Sequence, residues 1–372
     1  MRAAFVRLFP ALVAGFIFSA AAAELPSDLD IPELSAWSKF WDARLGFGYK
    51  DNVTLANRAA EKSPFLQSGL DFSVARLPVD GNQFLFTVSG EETRYFDTTL
   101  VDDELLFLAV AQFRRFSGKD WQWHVTANYI YQDRIVDGST FETNVGTLNI
   151  RGHSAILRAG ARRTLAGSTW LELEGVAERH LLVLPLDDYW TAGPKLTLGC
   201  DYGHRSTFNV AYAYNHRLFD QRARLDSSGF ALPGPLRLEE HVVGVEWRHN
   251  FDPKRRWRSV TRLTFATARD NASGFFDYAR WQVAQQLRFV SRAGEIRAVA
   301  NITDYDYDVQ TIAPSEAQNR VKTLLHFELR GEKKLTKHTS VFAAGEYERS
   351  LSNILLDEYD ATTVSAGLSW SF

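Results

Sequence analysis

The feature that most constrains this chain is an alternation of apolar and polar side chains that continues to its last residue. In residues 121–132, WQWHVTANYIYQ, every odd-numbered side chain is apolar or aromatic, whereas most even-numbered ones are polar. A period of two residues is that of a β-strand with one apolar face and one wet face. The run exceeds the roughly 5–6 residues usual for soluble strands and matches the roughly 9–11 that cross a bilayer at a tilt.

The same alternation recurs along the whole chain after residue 37. Short turns and longer polar connections alternate between the segments, the longest being 218–240. An even strand number with this wiring is typical of bacterial outer-membrane barrels. We therefore predict an all-β fold, a closed antiparallel transmembrane β-barrel of about sixteen strands. The predicted strands lie near 40–50, 65–76, 83–94, 103–115, 121–133, 147–163, 169–180, 190–202, 206–217, 240–251, 257–269, 277–290, 295–306, 320–333, 339–350 and 360–372.

A soluble sandwich or propeller is the alternative, but such folds bury their apolar face and use shorter strands. Here the aromatic residues gather at the strand ends on the apolar face, which predicts two aromatic girdles around a lipid-facing band. The girdle at the short turns would comprise Trp41, Trp121, Tyr202, Phe208, Phe251, Trp257, Phe289 and Phe372, and the other Tyr49, Tyr131, Trp190, Tyr214 and Tyr347.

The first residues have the three parts of a secretory signal. Arg2 and Arg7 precede an apolar run, and the small residues Ala21 to Ala23 form a cleavage site. The alternative is an N-terminal membrane anchor, but the apolar run is short. We predict a signal peptide at 1–23, a short periplasmic segment at 24–38 and the barrel at 39–372.

Three stretches fit the alternation poorly. Residues 103–115 are apolar on both faces, which leaves open whether the even- or the odd-numbered side chains point inward. Pro194 lacks a backbone donor, so strand 8 is predicted to begin there. Residues 143–154 are weakly patterned and leave strand and loop open.

The C-terminal residues carry a family likeness. Ser365, Gly367, Trp370 and Phe372 form a pattern that resembles the β-signal recognised by the outer-membrane barrel-assembly machinery. With the signal peptide and the strands, the chain resembles an outer-membrane β-barrel of the porin-like superfamily. Residues 46–57 also resemble the start of uncharacterised barrels linked to exopolysaccharide export. The resemblance implies the outer membrane of a Gram-negative bacterium, contact with lipid and lipopolysaccharide, and a homotrimer as one assembly to be considered.

Motifs for catalysis are missing from the sequence. The nine histidines show no HExxH spacing, no G-x-S-x-G or phosphate-binding loop occurs, and one cysteine excludes a cysteine-rich metal site. A net charge of −3 argues against a nucleic-acid partner. We predict no enzyme and no cofactor, with a lipid-acting barrel enzyme as the least supported alternative.

One acidic stretch is a weak candidate for a metal site. Asp304, Asp306 and Asp308 alternate at the end of strand 13, and carboxylates are ligands for Ca²⁺ or for a divalent bridge to lipopolysaccharide. A solvated loop stem is the favoured interpretation.

The charged residues of the wet face predict a lumen with a basic arc and a separate acidic arc. Arginines from strands 11–13 would face carboxylates from strands 2–4, 7 and 15, biasing a pore toward anions or sugar acids. In the alternative, facing charges pair and plug the lumen, and 218–240 is the loop long enough to fold inward. The predicted pore-lining residues are Arg258, Arg262, Arg280, Arg288, Arg297, Asp71, Glu91, Glu172, Glu174, Glu346 and Glu348.

The functional prediction is an outer-membrane channel for small hydrophilic solutes, with anions favoured. Two alternatives stay open: an exit pore for an anionic exopolysaccharide, and a non-conducting barrel with a structural or surface-interaction role.

Overall fold

A computed structural model describes residues 37–58, 60–137, 147–183, 186–311 and 318–372. The signal peptide predicted at 1–23 and residues 24–36 of the segment predicted to follow it lie outside this range. Within it, no helix is long and apolar enough to cross a membrane.

The described residues form sixteen strands, and a single 3₁₀ turn at Leu355–Asp357 precedes the last one. The alternating side chains account for these strands, because one face can meet an apolar surrounding while the other stays polar. The strands are β1 Trp37–Lys50, β2 Ser63–Val79, β3 Asn82–Tyr95, β4 Asp103–Ser117, β5 Trp121–Asp137, β6 Thr147–Ala166, β7 Thr169–Leu182, β8 Tyr189–Tyr202, β9 Ser206–Leu225, β10 Ala231–Asn250, β11 Trp257–Asp270, β12 Tyr278–Val290, β13 Gly294–Thr311, β14 Asn319–Lys334, β15 Thr339–Ser352 and β16 Tyr359–Ser371.

The strands close into one antiparallel barrel. Each strand pairs with its neighbour in sequence, and β1 pairs with β16 in a register that runs from Asp42 opposite Ser371 to Lys50 opposite Thr363. Closure removes the unpaired strand edges that an open sheet would expose. The predicted fold class and strand number are confirmed.

The connections divide the barrel into two ends. Short connections join β2 to β3, β4 to β5 and so on, and we call their side the short-turn end; the opposite side is the long-loop end. At the β2–β3 hairpin, Asp80 and Gly81 have φ angles of 53° and 74°. Two central residues with positive φ form the type I′ turn whose twist suits a two-residue hairpin.

The stretch 218–240, predicted as the longest connection and named in the plugged-lumen alternative as the loop long enough to fold inward, is mostly strand. β9 and β10 continue through most of this stretch as a long hairpin that turns only at 226–230, with register shifts around Pro235. Phe219, Leu236 and Leu238 of the hairpin are buried together against Tyr189 and Phe276 of neighbouring segments. This apolar packing holds the stretch in the barrel wall, so it does not supply the plug considered in the alternative.

The structure also bears on the three stretches that fit the alternation poorly. Pro194 does not begin β8 but lies inside it, opposite Gly175 of β7, while the ladder to β9 is interrupted at Gly193 and Pro194. The interruption accommodates the missing proline donor. Residues 147–154 belong to β6, whereas 143–146 lie outside the described residues. In β4 the even-numbered residues point inward.

Gly367 is a close-approach point at the seam between β16 and β1. A Cβ added there would lie 2.1 Å from the carbonyl oxygen of Leu45 and 2.5 Å from the Cα of Gly46. Because backbone atoms cannot move aside cheaply, we expect Gly367→Val to hinder closure. The folded fraction after refolding into lipid vesicles, read from the heat-dependent mobility shift on electrophoresis, should fall at least several-fold.

The matched control is Gly345→Val on β15, where an added Cβ would meet nothing within 4 Å. Refolding without the assembly machinery separates a packing effect from loss of the β-signal. Equal refolding of both variants would contradict the account of the seam.

Candidate functional site

The barrel exterior is apolar over its whole circumference. Side chains such as Phe47, Leu173, Trp281 and Val364 are each exposed by half or more. Soluble proteins rarely leave a continuous apolar surface uncovered, whereas membrane barrels present one to lipid. Many of the predicted girdle aromatics are exposed at the two ends of this surface, among them Trp41, Trp121, Tyr202, Phe208, Phe251, Trp257 and Phe372 at the short-turn end and Tyr49 and Trp190 at the other.

The predicted pore-lining residues lie on the opposite, inner face. Directly paired residues share a face, and the registers connect each of these positions to others that line the lumen. Arg262, for example, is opposite Glu246, and Arg288 is opposite both Arg258 and Arg297. The registers place on this face Arg258, Arg262, Arg280, Arg288, Arg297, Asp71, Glu91, Glu172, Glu174, Glu346 and Glu348.

Most of the inner arginines are held in ion pairs. Arg262 Nε donates to Glu246 at 2.5 Å, and Arg288 donates to both oxygens of Glu295 at 2.6 and 2.7 Å. Arg280 Nη2 lies 3.3 Å from an oxygen of Glu240. Charge-assisted pairs of this kind neutralise the guanidinium groups locally. Part of the positive charge of the β10–β12 wall is therefore offset, whereas Arg258 forms no ion pair within the described residues.

A cavity in the described part of the chain occupies the other side of the lumen. It has a volume of about 680 Å³ and is lined by β1 to β6 and β13 to β16. On β1 its lining extends from Asp42 to Lys50, a distance of about 26 Å along the strand. Arg258, Arg262, Arg280, Arg288, Glu172 and Glu174 do not line it.

This cavity, which we call the acidic cavity, is lined by ten carboxylates and five arginines and lysines. Sequence reasoning missed many of them because a wet face in every strand does not reveal which part of the lumen stays open. The carboxylates are Asp42, Asp71, Glu91, Glu104, Asp137, Glu295, Glu328, Glu332, Glu346 and Glu348, and the cations are Arg44, Lys50, Arg134, Arg297 and Arg330.

Several of the carboxylates are engaged by neighbours along the wall. Arg44 Nη2 donates to Asp71 at 2.8 Å, and Arg297 Nη2 donates to both oxygens of Glu328 at 2.7 and 2.8 Å. Two of the ten carboxylates, Glu295 and Asp137, are paired with Arg288 and Lys322 from outside the lining, which leaves eight against five cations and an excess of negative charge. An aqueous space with such walls attracts cations.

An ion pair crosses the lumen near the long-loop end. Lys322 Nζ on β14 donates to Asp137 Oδ2 at the end of β5, although these strands lie on nearly opposite sides of the barrel. Both side chains are buried, with exposed fractions of 0% and 7%. Ile135 beside Asp137 packs on an apolar cluster that includes Phe65 and Tyr95. The end of β5 therefore lies across the opening of the lumen at the long-loop end, which we call the mouth.

The three aspartates of β13 do not converge. Asp304 accepts a hydrogen bond from Thr323 Oγ1 at 2.6 Å, Asp308 pairs with Arg269, and Asp306 is exposed. Within the described residues, the groups whose ligand atoms approach one another are His124 with Glu172 and Glu174, and His326 with Glu346 and Glu348.

The residues of the predicted β-signal lie on the closing strand. Ser365 and Gly367 face inward on β16, while Trp370 and Phe372 are on the outer side of the seam. The backbone of Phe372 exchanges two hydrogen bonds with that of Trp41, at 2.9 and 3.0 Å.

Comparison with known proteins gives matches of fold only. No family model matches the chain, and no curated protein matches it. The chain is similar to OccAB1 of Acinetobacter baumannii, with a TM-score of 0.48, 7% identity and coverage of 91% of this chain and 97% of that one. It is also similar to an anion-selective porin from Comamonas acidovorans, with a TM-score of 0.46, 11% identity and coverage of 90% and 99%. A third similar structure is a bacterial polysaccharide outer membrane secretin, with a TM-score of 0.42, 9% identity and coverage of 89% of this chain and 97% of that one.

Lys322→Met removes the ammonium group from the ion pair across the mouth. Taking one partner from a buried pair typically costs a few kcal/mol, so we expect the free energy of unfolding to fall by about 3 kcal/mol. Urea unfolding in detergent micelles, followed by tryptophan fluorescence, measures the change.

The matched control is Arg179→Met, which breaks a pair with Asp220 at 2.6 Å on the outer surface. This pair lies at the outer surface, and such pairs contribute less stability than a buried one. If the two variants lose the same stability, the pair across the mouth does not hold the β5 end in place.

Proposed function

We propose that the protein is an outer-membrane channel for passive passage of small hydrophilic solutes. The observation that carries the proposal is the acidic cavity, a charged space inside a closed barrel whose outer surface is apolar. Such a barrel replaces the hydrocarbon barrier with a polar path and needs no chemical step. Secretion with cleavage near Ala23 and assembly through the C-terminal β-signal belong to the same proposal.

The charge of the lining favours cationic solutes over the anions expected from the sequence. The arginines of β11 and β12 lie outside the acidic cavity, and Arg262, Arg280 and Arg288 among them are paired with carboxylates. Within the cavity, eight carboxylates remain against five cations once Glu295 and Asp137 are assigned to their partners outside the lining, Arg288 and Lys322. The low-dielectric wall of the barrel focuses the electric field into the water of the cavity. The excess negative charge of the lining therefore acts on solutes that pass through it. The same lining disfavours an anionic polysaccharide as cargo.

Reconstitution into planar bilayers tests this function. Under a salt gradient we expect steady conductance with a reversal potential of the sign given by cation selectivity. Glu91→Gln combined with Glu332→Gln removes two charges from the acidic cavity and should lower the cation-to-anion permeability ratio at least twofold.

The matched control is Glu172→Gln, an inner-face carboxylate outside that cavity and opposite Arg162. It should leave the permeability ratio nearly unchanged. Absence of conductance would overturn the channel, and anion selectivity in the unmodified protein would overturn the selectivity.

A further inference from the structure

One corner of the acidic cavity combines a histidine with two glutamates. Glu346 and Glu348 lie two residues apart on the inner face of β15, and His326 on β14 is directly opposite Glu348. One ligand atom from each of the three side chains lies within 4.8 Å of the other two. The side chain of Glu346 is 40% exposed, so the group opens to the water of the cavity.

The histidine of this group has unused capacity to bind. His326 is only 5% exposed, its Nε2 lies 2.6 Å from Glu346 Oε1, and its buried Nδ1 has no hydrogen-bond partner among the described residues. A buried polar atom without a partner is unfavourable and calls for an explanation. Glu348 also forms no hydrogen bond or ion pair within the described part of the chain. The wall thus holds ligand groups that its own side chains do not satisfy.

The strand register leaves the two carboxylates without a cation beside them. Glu346 is flanked by Glu328 and Thr363, and Glu348 by His326 and Ala361. Glu328 does not alter this balance, because Arg297 already occupies both of its oxygens.

Two cations of the lining face this group from other strands. Lys50 is level with Glu346 but two strands away, and Arg134 extends from β5. Neither forms an ion pair with Glu346 or Glu348 within the described residues. The corner therefore keeps an excess of negative charge that a divalent cation would offset.

The second histidine group differs in this respect. His124 lies 3.1 Å from Glu174, but Lys195 is directly opposite Glu174 and Arg162 is directly opposite Glu172. Both carboxylates therefore have a cation opposite them on a neighbouring strand, although Arg162 donates to Asp201 at 2.8 Å. The two groups have the same ligand types and differ in the cations beside them, which makes one a control for the other.

We propose that His326, Glu346 and Glu348 bind a divalent transition-metal ion such as Zn²⁺. An imidazole nitrogen with two carboxylate oxygens suits Zn²⁺, whereas Mg²⁺ and Ca²⁺ take oxygen ligands. Ligands of one tetrahedral zinc lie about 3.4 Å apart, so ligand atoms within 4.8 Å of one another must shift by up to about 1.4 Å, and His326 Nε2 and Glu346 Oε1 at 2.6 Å must move apart; glutamate rotamer changes can supply both shifts. Water from the cavity completes the coordination.

Isothermal titration of the untagged protein in detergent with ZnCl₂ tests the site. We expect one tight site that His326→Gln and Glu348→Gln each weaken at least tenfold, while His124→Gln leaves it unchanged. Excess Mg²⁺ should not displace the Zn²⁺. The heat-dependent mobility shift identifies folded variants, and two substitutions at different strands keep the test decisive if one fails to fold.

Absence of a tight site in the unmodified protein would overturn the proposal. So would wild-type affinity in both His326→Gln and Glu348→Gln, or equal loss in His124→Gln. Binding is measured without any conduction, so this proposal and the channel function can fail independently.

Discussion

The pairing of β1 with β16 is the constraint on which the rest of the structure depends. In a hydrocarbon surrounding every backbone donor and acceptor must find a partner inside the protein, and an open sheet leaves two strand edges unpaired. Gly367 and Gly46 allow the last and first strands to approach at the seam, and the ladder continues to Phe372, which bonds to Trp41. Closure then forces one side chain set outward and the other inward along all sixteen strands described.

The inward-facing side chains divide into two regions, a wall where several arginines are ion-paired and a wall that lines the acidic cavity. Over β10 to β12, Arg262 and Arg288 form ion pairs with carboxylates from adjacent strands, which offset their positive charge within the wall. Over β13 to β16 and β1 to β5, carboxylates exceed cations and surround the 680 Å³ cavity. The ion pair from Lys322 to Asp137 then narrows the mouth above it. Selectivity in this account arises from which charges remain unpaired, not from how many the lumen contains.

Much of the fold could be predicted from the sequence because a strand with one apolar and one polar face repeats every two residues. That periodicity located all sixteen strands and the inner face that carries Arg262 and Glu346. The periodicity failed where contacts between strands determine the local structure. Pro194 lies inside β8 because the ladder to β9 is interrupted there. Residues 218–240 extend β9 and β10 because Phe219 and Leu236 pack together. Alternation also cannot show which inner charges pair, so the acidic cavity and the approach of His326 to Glu348 needed the strand register.

The most direct test of the central claim compares two adjacent residues in the middle of β16. Ser365 lines the acidic cavity, whereas Ala366 faces outward. In a Cys200→Ala background, Ser365→Cys and Ala366→Cys proteins in lipid vesicles would be treated with cationic and anionic water-soluble thiol reagents of equal size. The account predicts rapid modification at position 365, faster with the cationic reagent, and little at 366. Equal modification of both positions, or faster reaction of the anionic reagent at 365, would contradict an acidic aqueous lumen.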